Sequence, residues 1–269
     1  MSFVENRGAR IYWDEQGSGE PLLLIMGLSY PSYMWHRSRP YLAKQFRTIA
    51  LDNRGVGQSD APPSVYSMAL MAGDAAAVLD AASVETAHVF GVSMGGMIAQ
   101  EFALQYPHRV RSLILGSTAA GGPHAVQPQP EALEALLRRD LTPEQSKEAI
   151  LPFIYDPATP RERIEEDMVI RMKWYPTPQG YQGQLQGIFG WEASSRLAQI
   201  TAPTLVIHGE SDRLVPPANA RLIAERIRDA KLVLIPGASH IFATDQPAAA
   251  HHAILEFLAA EQLRAQTQI

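Results

Sequence analysis

The chain has 269 residues, a length at which one α/β domain with a sizeable core is common. Its formal net charge of −5 gives no electrostatic reason to expect nucleic acid or an anionic membrane as a partner. The absence of cysteine excludes disulfides, thiolate catalysis and cysteine-based metal sites. The N-terminus lacks the pattern of a signal peptide, and no apolar run approaches the roughly 20 residues of a membrane span, so we expect a cytoplasmic protein.

The first part of the chain alternates between strand-like and helix-like segments. Residues 3–15 predict two short strands joined by the Asn6-Arg7-Gly8 turn, and residues 21–26 form the first fully apolar strand. The next predicted elements are a helix at 38–45, a strand at 47–51, a helix at 68–81, a strand ending at 92 with its helix, and a strand at 110–115. This alternation predicts a mostly parallel sheet with helices on both faces.

The alternation stops at Gly121-Gly122-Pro123 and resumes with an apolar strand at 203–208. The segments between them look helical, near 131–139, 143–153, 161–174 and 181–190, and the chain ends with a helix at 217–227, a strand at 232–235 and a helix at 246–263. We therefore predict one α/β core, residues 1–121 and 196–269, interrupted by a helical cap at 122–195. An independent helical domain is the alternative.

One serine lies in a tight turn between a predicted strand and a predicted helix. Residues 91–95 read Gly-Val-Ser-Met-Gly, and the two glycines remove side chains that would collide in so sharp a turn. Ser93 would then stand above the carboxyl end of the strand and at the positive end of the helix, as in a nucleophile elbow. The motif alone also fits a glycine-rich turn that contains serine by chance, so the interpretation depends on this context.

A serine nucleophile needs a base to take its proton and a carboxylate to orient that base. His240 lies in a short loop after the last predicted strand, at the sheet edge where ligands bind. Asp212 lies in the loop after the preceding strand, at the same edge, and we prefer it to Glu210. The order Ser93, Asp212, His240 is that of nucleophile-elbow enzymes.

Other polar residues have weaker claims to catalysis. His208 ends a strand and is interpreted as a core or hydrogen-bonded residue. His251 and His252 lie on the final helix and are expected to face solvent. Asp52 also ends a strand, but its neighbours indicate a turn pinned by Asp–Arg or Asp–backbone contacts.

The charge that develops on the substrate carbonyl oxygen needs N–H donors that are already in place. We expect one from the backbone amide of Met94, directly after the serine. We place the other at the amide of Leu28, in the loop after the first apolar strand. Both are backbone groups, so the side chains at these positions can vary.

Together these motifs resemble those of α/β-hydrolase-fold proteins over essentially the whole chain. The segments that carry the resemblance are residues 52–59, 91–97, 209–212 and 237–240. Within that superfamily the chain is most similar to single-domain serine esterases and enol-lactone hydrolases. The resemblance implies a mostly parallel, eight-stranded type of sheet, a triad of Ser93, Asp212 and His240, and a helical cap over the site. Met26 stands where the family commonly has histidine before Gly27.

We therefore expect an enzyme that hydrolyses a carboxylic ester or lactone through an acyl-enzyme, with no metal or organic cofactor. The expected partner is that small molecule, without nucleic acid or membrane, and a homodimer is an open alternative. Aromatic residues of the cap and oxyanion loop predict an apolar pocket that favours medium acyl, aryl or lactone groups over charged ones. Those assigned to substrate binding are Tyr30, Trp35, Trp174, Phe189 and Trp191.

Several other functions are compatible with the same motifs. A serine triad also supports carbon–carbon bond hydrolysis, thioester hydrolysis, acyl transfer and perhydrolysis, and the fold does not decide among them. A small-molecule receptor with an intact triad is an alternative of a different class. Such a receptor would bind its ligand tightly, turn it over far more slowly than an enzyme does, and change its cap on binding.

Overall fold

The computed structural model describes residues 2–138 and 140–267. Within them the strands are β1 (Ser2–Asn6), β2 (Ala9–Gln16), β3 (Glu20–Ile25), β4 (Phe46–Leu51), β5 (Ala87–Val92), β6 (Val110–Gly116), β7 (Thr204–Gly209) and β8 (Lys231–Ile235). They form one sheet in the order β1-β2-β4-β3-β5-β6-β7-β8. The β1–β2 and β2–β4 pairs are antiparallel and the other neighbouring pairs are parallel, so the sheet is mostly parallel, as predicted.

Helices cover both faces of this sheet. Those described are α1 (Arg39–Leu42), α2 (Met68–Ala81), α3 (Met94–Gln105), α4 (Pro130–Leu137), α5 (Pro143–Ile154), α6 (Arg161–Lys173), α7 (Pro178–Phe189), α8 (Ala218–Arg226), α9 (Phe242–Asp245) and α10 (Pro247–Thr267). α2, α3 and α8 share one apolar core with one face of the sheet, whereas α1, α9 and α10 share another core with the opposite face. No helix within the described ranges is long and apolar enough to span a membrane.

Strand β3 shows why the central strands read as unbroken apolar runs. Successive side chains of a strand point to opposite faces. Leu23 and Ile25 belong to the first core, and Leu22 and Leu24 belong to the second. All four side chains are fully buried because both faces are covered.

The segment between β6 and β7, which we call the insert, carries α4 to α7. It has a small apolar cluster of its own around Ile150, Ile154 and Met168. Asp167 of α6 is fully buried and ties the insert to the core, since it accepts hydrogen bonds from Arg37 (3.0 Å) and Thr244 (2.6 Å). The helices of the insert were predicted, and the division of the chain at 122 and 195 stays a prediction.

Several element boundaries differ from the sequence prediction. Within the helix expected at 38–45, only Arg39–Leu42 (α1) is α-helical, and a 3₁₀ turn at Ser32–Arg37 precedes it. α7 begins at Pro178 instead of 181, because the Thr177 side chain accepts a hydrogen bond from the Gly180 amide as an N-cap. α4 ends at Leu137, and Arg139, placed in that helix by the sequence, lies outside the described residues.

Candidate active site

Ser93 occupies a strained turn between β5 and α3. Its backbone has φ 57° and ψ −122°, a conformation that is costly for a residue with a side chain. A Cβ on Gly91 would overlap the carbonyl oxygen of Gly95, and a Cβ on Gly95 would overlap that of Ile25. The Ser93 amide donates to the Gly116 carbonyl at 2.9 Å, which fixes the turn to β6. The glycines therefore allow the close approach that the sequence motif indicated.

The loops after β7 and β8 bring Asp212 and His240 together. The Ser211 amide donates to the Ala238 carbonyl at 2.8 Å, which joins the two loops. Nδ1 of His240 lies 2.8 Å from Oδ2 of Asp212, and both side chains are almost completely buried. Burial favours a neutral carboxyl, but a protonated His240 and hydrogen bonds from His208 and His240 outweigh it and lower the pKa of Asp212 to about 2. Asp212 is therefore a carboxylate at neutral pH.

The same carboxylate contacts a second histidine and two backbone amides. Nε2 of His208 lies 3.0 Å from Oδ2 of Asp212 and 2.7 Å from the Val215 carbonyl oxygen. The amides of Leu214 and Val215 donate to the other oxygen, Oδ1, at 2.9 and 2.8 Å. His208 is therefore the hydrogen-bonded residue that the sequence analysis allowed, but its contact with Asp212 was not anticipated.

The loop after β3 runs close to the nucleophile. A Cβ on Gly27 would lie 3.0 Å from Cβ of Ser93, so this loop passes directly over the serine. The Ser29 amide donates to the side chain of Gln184 in α7 at 2.9 Å. Within the described ranges, neither the Leu28 amide nor the Met94 amide has an acceptor, and both residues line one cavity with Ser93.

A cavity of about 350 Å³ lies between the sheet edge and the insert. Ser93 and His240 both line this cavity. Its wall is mostly apolar and includes three of the aromatic residues expected there, Tyr30, Phe189 and Trp191.

The other two expected aromatic residues lie elsewhere, which corrects their assignment to substrate binding. Trp35 is 3% exposed and packs on Phe90 in the second core, with ring centroids 4.8 Å apart. Trp174 stacks on Tyr33, with centroids 5.8 Å apart and an interplanar angle of 6°. Both indoles are occupied by packing against neighbouring rings, and neither lines the cavity.

Arg171 of α6 lines the cavity and was not singled out from the sequence. It is 7% exposed, and among the described residues its Nε and Nη1 have no hydrogen-bond partner. Its guanidinium lies 4.8 Å from the ring centre of Tyr30, whose buried hydroxyl also lacks a partner there. Burial raises the pKa of that hydroxyl, so it stays protonated. The mostly apolar wall thus contains a guanidinium and a hydroxyl, those of Arg171 and Tyr30, with atoms that have no hydrogen-bond partner among the described residues.

The remaining polar candidates have structural surroundings. His251 is 6% exposed, not solvent-facing as expected, because α10 packs its ring on Tyr41 and places Nε2 3.2 Å from the Ser38 hydroxyl. Asp52 accepts hydrogen bonds from the amides of Ser32 and Gln58. In the two described ranges, no three His, Asp or Glu side chains are grouped so as to hold a metal ion.

Comparison with known proteins agrees with this architecture. A sequence model described as the alpha/beta hydrolase fold matches residues 20–247. The chain is 33% identical to a poly(3-hydroxyalkanoate) depolymerase from Ectopseudomonas oleovorans, across 91% of this chain and 86% of the relative. It is 31% identical to a 2-hydroxy-6-oxononadienedioate/2-hydroxy-6-oxononatrienedioate hydrolase from Burkholderia vietnamiensis, across 93% and 91% of the two chains.

The structure is likewise similar to the enol-lactonase from Burkholderia xenovorans, with a TM-score of 0.86 and 25% identity, across 96% of this chain and all of that chain. The strand order, the turn at Ser93 and the sequence match agree with one another. The chain therefore belongs to the α/β-hydrolase fold family and is a hydrolase.

Proposed function

We propose that the protein is a serine hydrolase that cleaves a carboxylic ester or lactone with Ser93 as nucleophile, His240 as base and Asp212 as the orienting acid. The observation that carries this proposal is the placement of Ser93 in a strained turn on the wall of the cavity that His240 also lines, with the His240 imidazole against Asp212. A serine, an imidazole and a buried carboxylate in this relation are the parts that acyl transfer requires.

The reaction begins when Ser93 Oγ attacks the acyl carbonyl and His240 takes the hydroxyl proton. The amides of Leu28 and Met94 donate to the oxyanion. They can do so because neither amide has an acceptor within the described ranges. The alcohol leaves with the proton from His240, and the acyl group stays on Ser93. Water then gives a proton to His240 and attacks the acyl-enzyme, and His240 returns that proton to Ser93 Oγ as the acid is released. Asp212 orients the imidazole and stabilises its protonated form throughout.

The cavity favours an ester or lactone that also carries a carboxylate. Most of its wall is apolar and would hold the body of a medium-sized substrate. A buried guanidinium without a partner is costly, and a substrate carboxylate would give Arg171 the hydrogen bonds that it lacks. The Tyr30 hydroxyl can donate to the same anion. This modifies the expectation of an uncharged substrate.

Carbon–carbon bond hydrolysis by the same residues is the second candidate. The relative from Burkholderia vietnamiensis is named for the hydrolysis of a dioate, a dicarboxylate, and Arg171 offers this chain a partner for such a group. The two candidates differ in the bond that breaks.

The proposal is tested with p-nitrophenyl esters of increasing acyl length and simple lactones, using the wild type beside Ser93→Ala. We expect serine-dependent turnover, reduced by roughly 10³-fold or more in the variant, with an unchanged melting temperature as the control for folding. Near wild-type activity in Ser93→Ala would refute the assignment. If esters are inert but a phosphonate labels Ser93, carbon–carbon hydrolysis becomes the leading candidate, whereas neither turnover nor labelling would favour the receptor alternative.

A further inference from the structure

Two imidazoles share one oxygen of the Asp212 carboxylate. Nδ1 of His240 lies 2.8 Å from Oδ2 and Nε2 of His208 lies 3.0 Å from it. His208 is fully buried near the end of β7, four residues before Asp212, and belongs to no part of the cavity wall. It therefore contacts the acid from outside the cavity.

The neighbours of His208 determine where its proton lies. Both groups near Nε2, the Asp212 carboxylate and the Val215 carbonyl, are hydrogen-bond acceptors, so Nε2 must carry hydrogen. Nδ1 is buried and has no partner among the described residues. A proton on Nδ1 would therefore bury an unpaired N–H and a positive charge, which is costly. His208 therefore donates through Nε2.

Packing alone does not account for a histidine at this position. β7 is buried on both sides, and an aliphatic side chain at 208 would fill the space without leaving an unpaired nitrogen. The group that the imidazole adds to packing is the Nε2–H donor. Its two acceptors are the acid itself and Val215, whose own amide donates to Oδ1 of Asp212.

We propose that His208 is a positioning residue that sets the orientation and basicity of Asp212, an inference that rests on the role of Asp212 in the proposed function. Together with the Leu214 and Val215 amides, its N–H holds the carboxylate plane so that Oδ2 faces His240. Its N–H also draws charge from Oδ2, which weakens the pull of the carboxylate on a protonated His240. His208 thereby moves the acidic limit of activity to lower pH.

The test compares His208→Gln with His208→Met. Glutamine can place an amide N–H near the position of Nε2, whereas methionine has a similar length and no donor. We expect His208→Gln to stay within about threefold of wild-type kcat with an unshifted profile, and His208→Met to lose roughly tenfold in kcat with little change in KM. In His208→Met the acidic limb of the kcat/KM profile should move up by about half a pH unit or more. Without the His208 N–H, Oδ2 of Asp212 keeps more negative charge and stabilises protonated His240 better.

The proposal is overturned if the two variants have equal kcat values and equal pH profiles. It is also overturned if both variants lose the same fraction of kcat and neither shows a shifted acidic limb, which is what a purely structural role would give. Asp245, whose carboxylate accepts the Ser239 amide beside His240, is present in both variants and cancels in the comparison. The esterase assay of Ser93→Ala is run in parallel, so failure of the proposed nucleophile is recognised separately.

Nitrogen NMR of the wild type labelled with ¹⁵N-histidine tests the proton position without any need for turnover. The eight histidines can be assigned in part from the signal that disappears in His208→Gln. We expect the hydrogen of His208 to lie on Nε2 at neutral pH. A ring protonated on Nδ1 at neutral pH would overturn the proposal, even if His208→Met failed to fold.

Discussion

The polar groups that face the cavity are each held by a residue behind them. Ser93 is held by the glycines of its turn, and His240 is held by Asp212. The loop that presents the Leu28 amide is held through the bond between the Ser29 amide and Gln184. Fixed donors and acceptors need little rearrangement during a reaction, which is the usual source of electrostatic catalysis. Arg171 and Tyr30 are exceptions, because two nitrogens of Arg171 and the hydroxyl of Tyr30 have no hydrogen-bond partner among the described residues.

Replacing Arg171 should therefore change the choice of substrate more than the chemistry. With Arg171→Met we expect kcat/KM for an ester that carries a carboxylate, such as a glutarate half-ester, to fall by roughly tenfold to 100-fold. A neutral butyrate ester of the same alcohol should change by less than about threefold, because it makes no ion pair. Arg171→Lys is the matched control that keeps the charge. Equal losses for the two esters would show that Arg171 does not bind the anion.

The nucleophile could be predicted from sequence because its signal is local. Five consecutive residues specify the turn at Ser93, and two loops with typical endings specify Asp212 and His240. Arg171 has no comparable signal. Asp167, one turn earlier on α6, looks like its helical partner, but that carboxylate is bonded to Arg37, Tyr155 and Thr244. Which cation an acid pairs with depends on distant residues and cannot be read from spacing.

Among the elements, α7 lies close against the segment that follows β4. A Cβ on Gly187 would overlap the Tyr66 carbonyl oxygen, and a Cβ on Gly183 would lie 2.7 Å from the Tyr66 ring. The side chain of Gln184, on the same helix, donates to the Arg54 carbonyl at 2.8 Å and accepts from Ser29. α7 is thereby packed against the turn after β4 and against the loop after β3, so it belongs to the support of the site.

Gly187→Ala should disrupt this contact. Alanine raises helix propensity, but here its methyl group overlaps backbone atoms, so we expect a loss of about 2 kcal/mol or more in the free energy of unfolding. Gly73→Ala is the matched control within α2, where the nearest atom to a new Cβ is 3.5 Å away. That variant should be as stable as the wild type or gain up to about 1 kcal/mol. Urea unfolding of both variants measures the difference, and equal stability would contradict the packing argument.

The helices and strands that were predicted well from the sequence have a regular residue pattern or a clear capping residue. α2 coincides with its predicted range at Met68–Ala81, because Ser67 caps it and its alanine-rich pattern is unbroken. The segment at 38–45 was predicted less well, since only α1 at Arg39–Leu42 is α-helical. The loop at Gly17 packs directly against the residues that follow α1, since a Cβ on Gly17 would overlap the Ala43 carbonyl oxygen. Such a contact between distant segments leaves no mark on local periodicity.

For the whole molecule, Asp245 connects the insert, the His240 loop and α9. Its carboxylate accepts hydrogen bonds from the Thr159 hydroxyl of the insert and from the Ser239 amide. Burial raises the pKa of Asp245, the negative charge of Asp156 adds to this, and hydrogen bonds only partly oppose it, which leaves a pKa of about 6. The folded protein thus binds this proton more tightly than the unfolded chain does.

This raised pKa gives the free energy of unfolding a defined pH dependence. The contribution of Asp245 is full below its unfolded pKa of about 4 and is lost as the pH rises to about 6. Asp245→Asn removes the titrating carboxyl group and therefore this loss. The free energy of unfolding of the variant minus that of the wild type should be about 2 kcal/mol greater at pH 7.5 than at pH 4.5. Urea unfolding at the two pH values measures it, with Asp140→Asn, at an exposed site, as the control. A relative stability that does not change with pH would refute the argument.

In the proposed reaction Ser93 becomes covalently acylated during turnover. Rapid acid quenching of the enzyme with an activated ester, followed by peptide mass spectrometry, tests it most directly. We predict an added acyl mass on the peptide that contains Ser93, formed at a rate at least equal to kcat, and its absence in Ser93→Ala. Rapid turnover without an adduct, or turnover that persists in Ser93→Ala, would contradict the account.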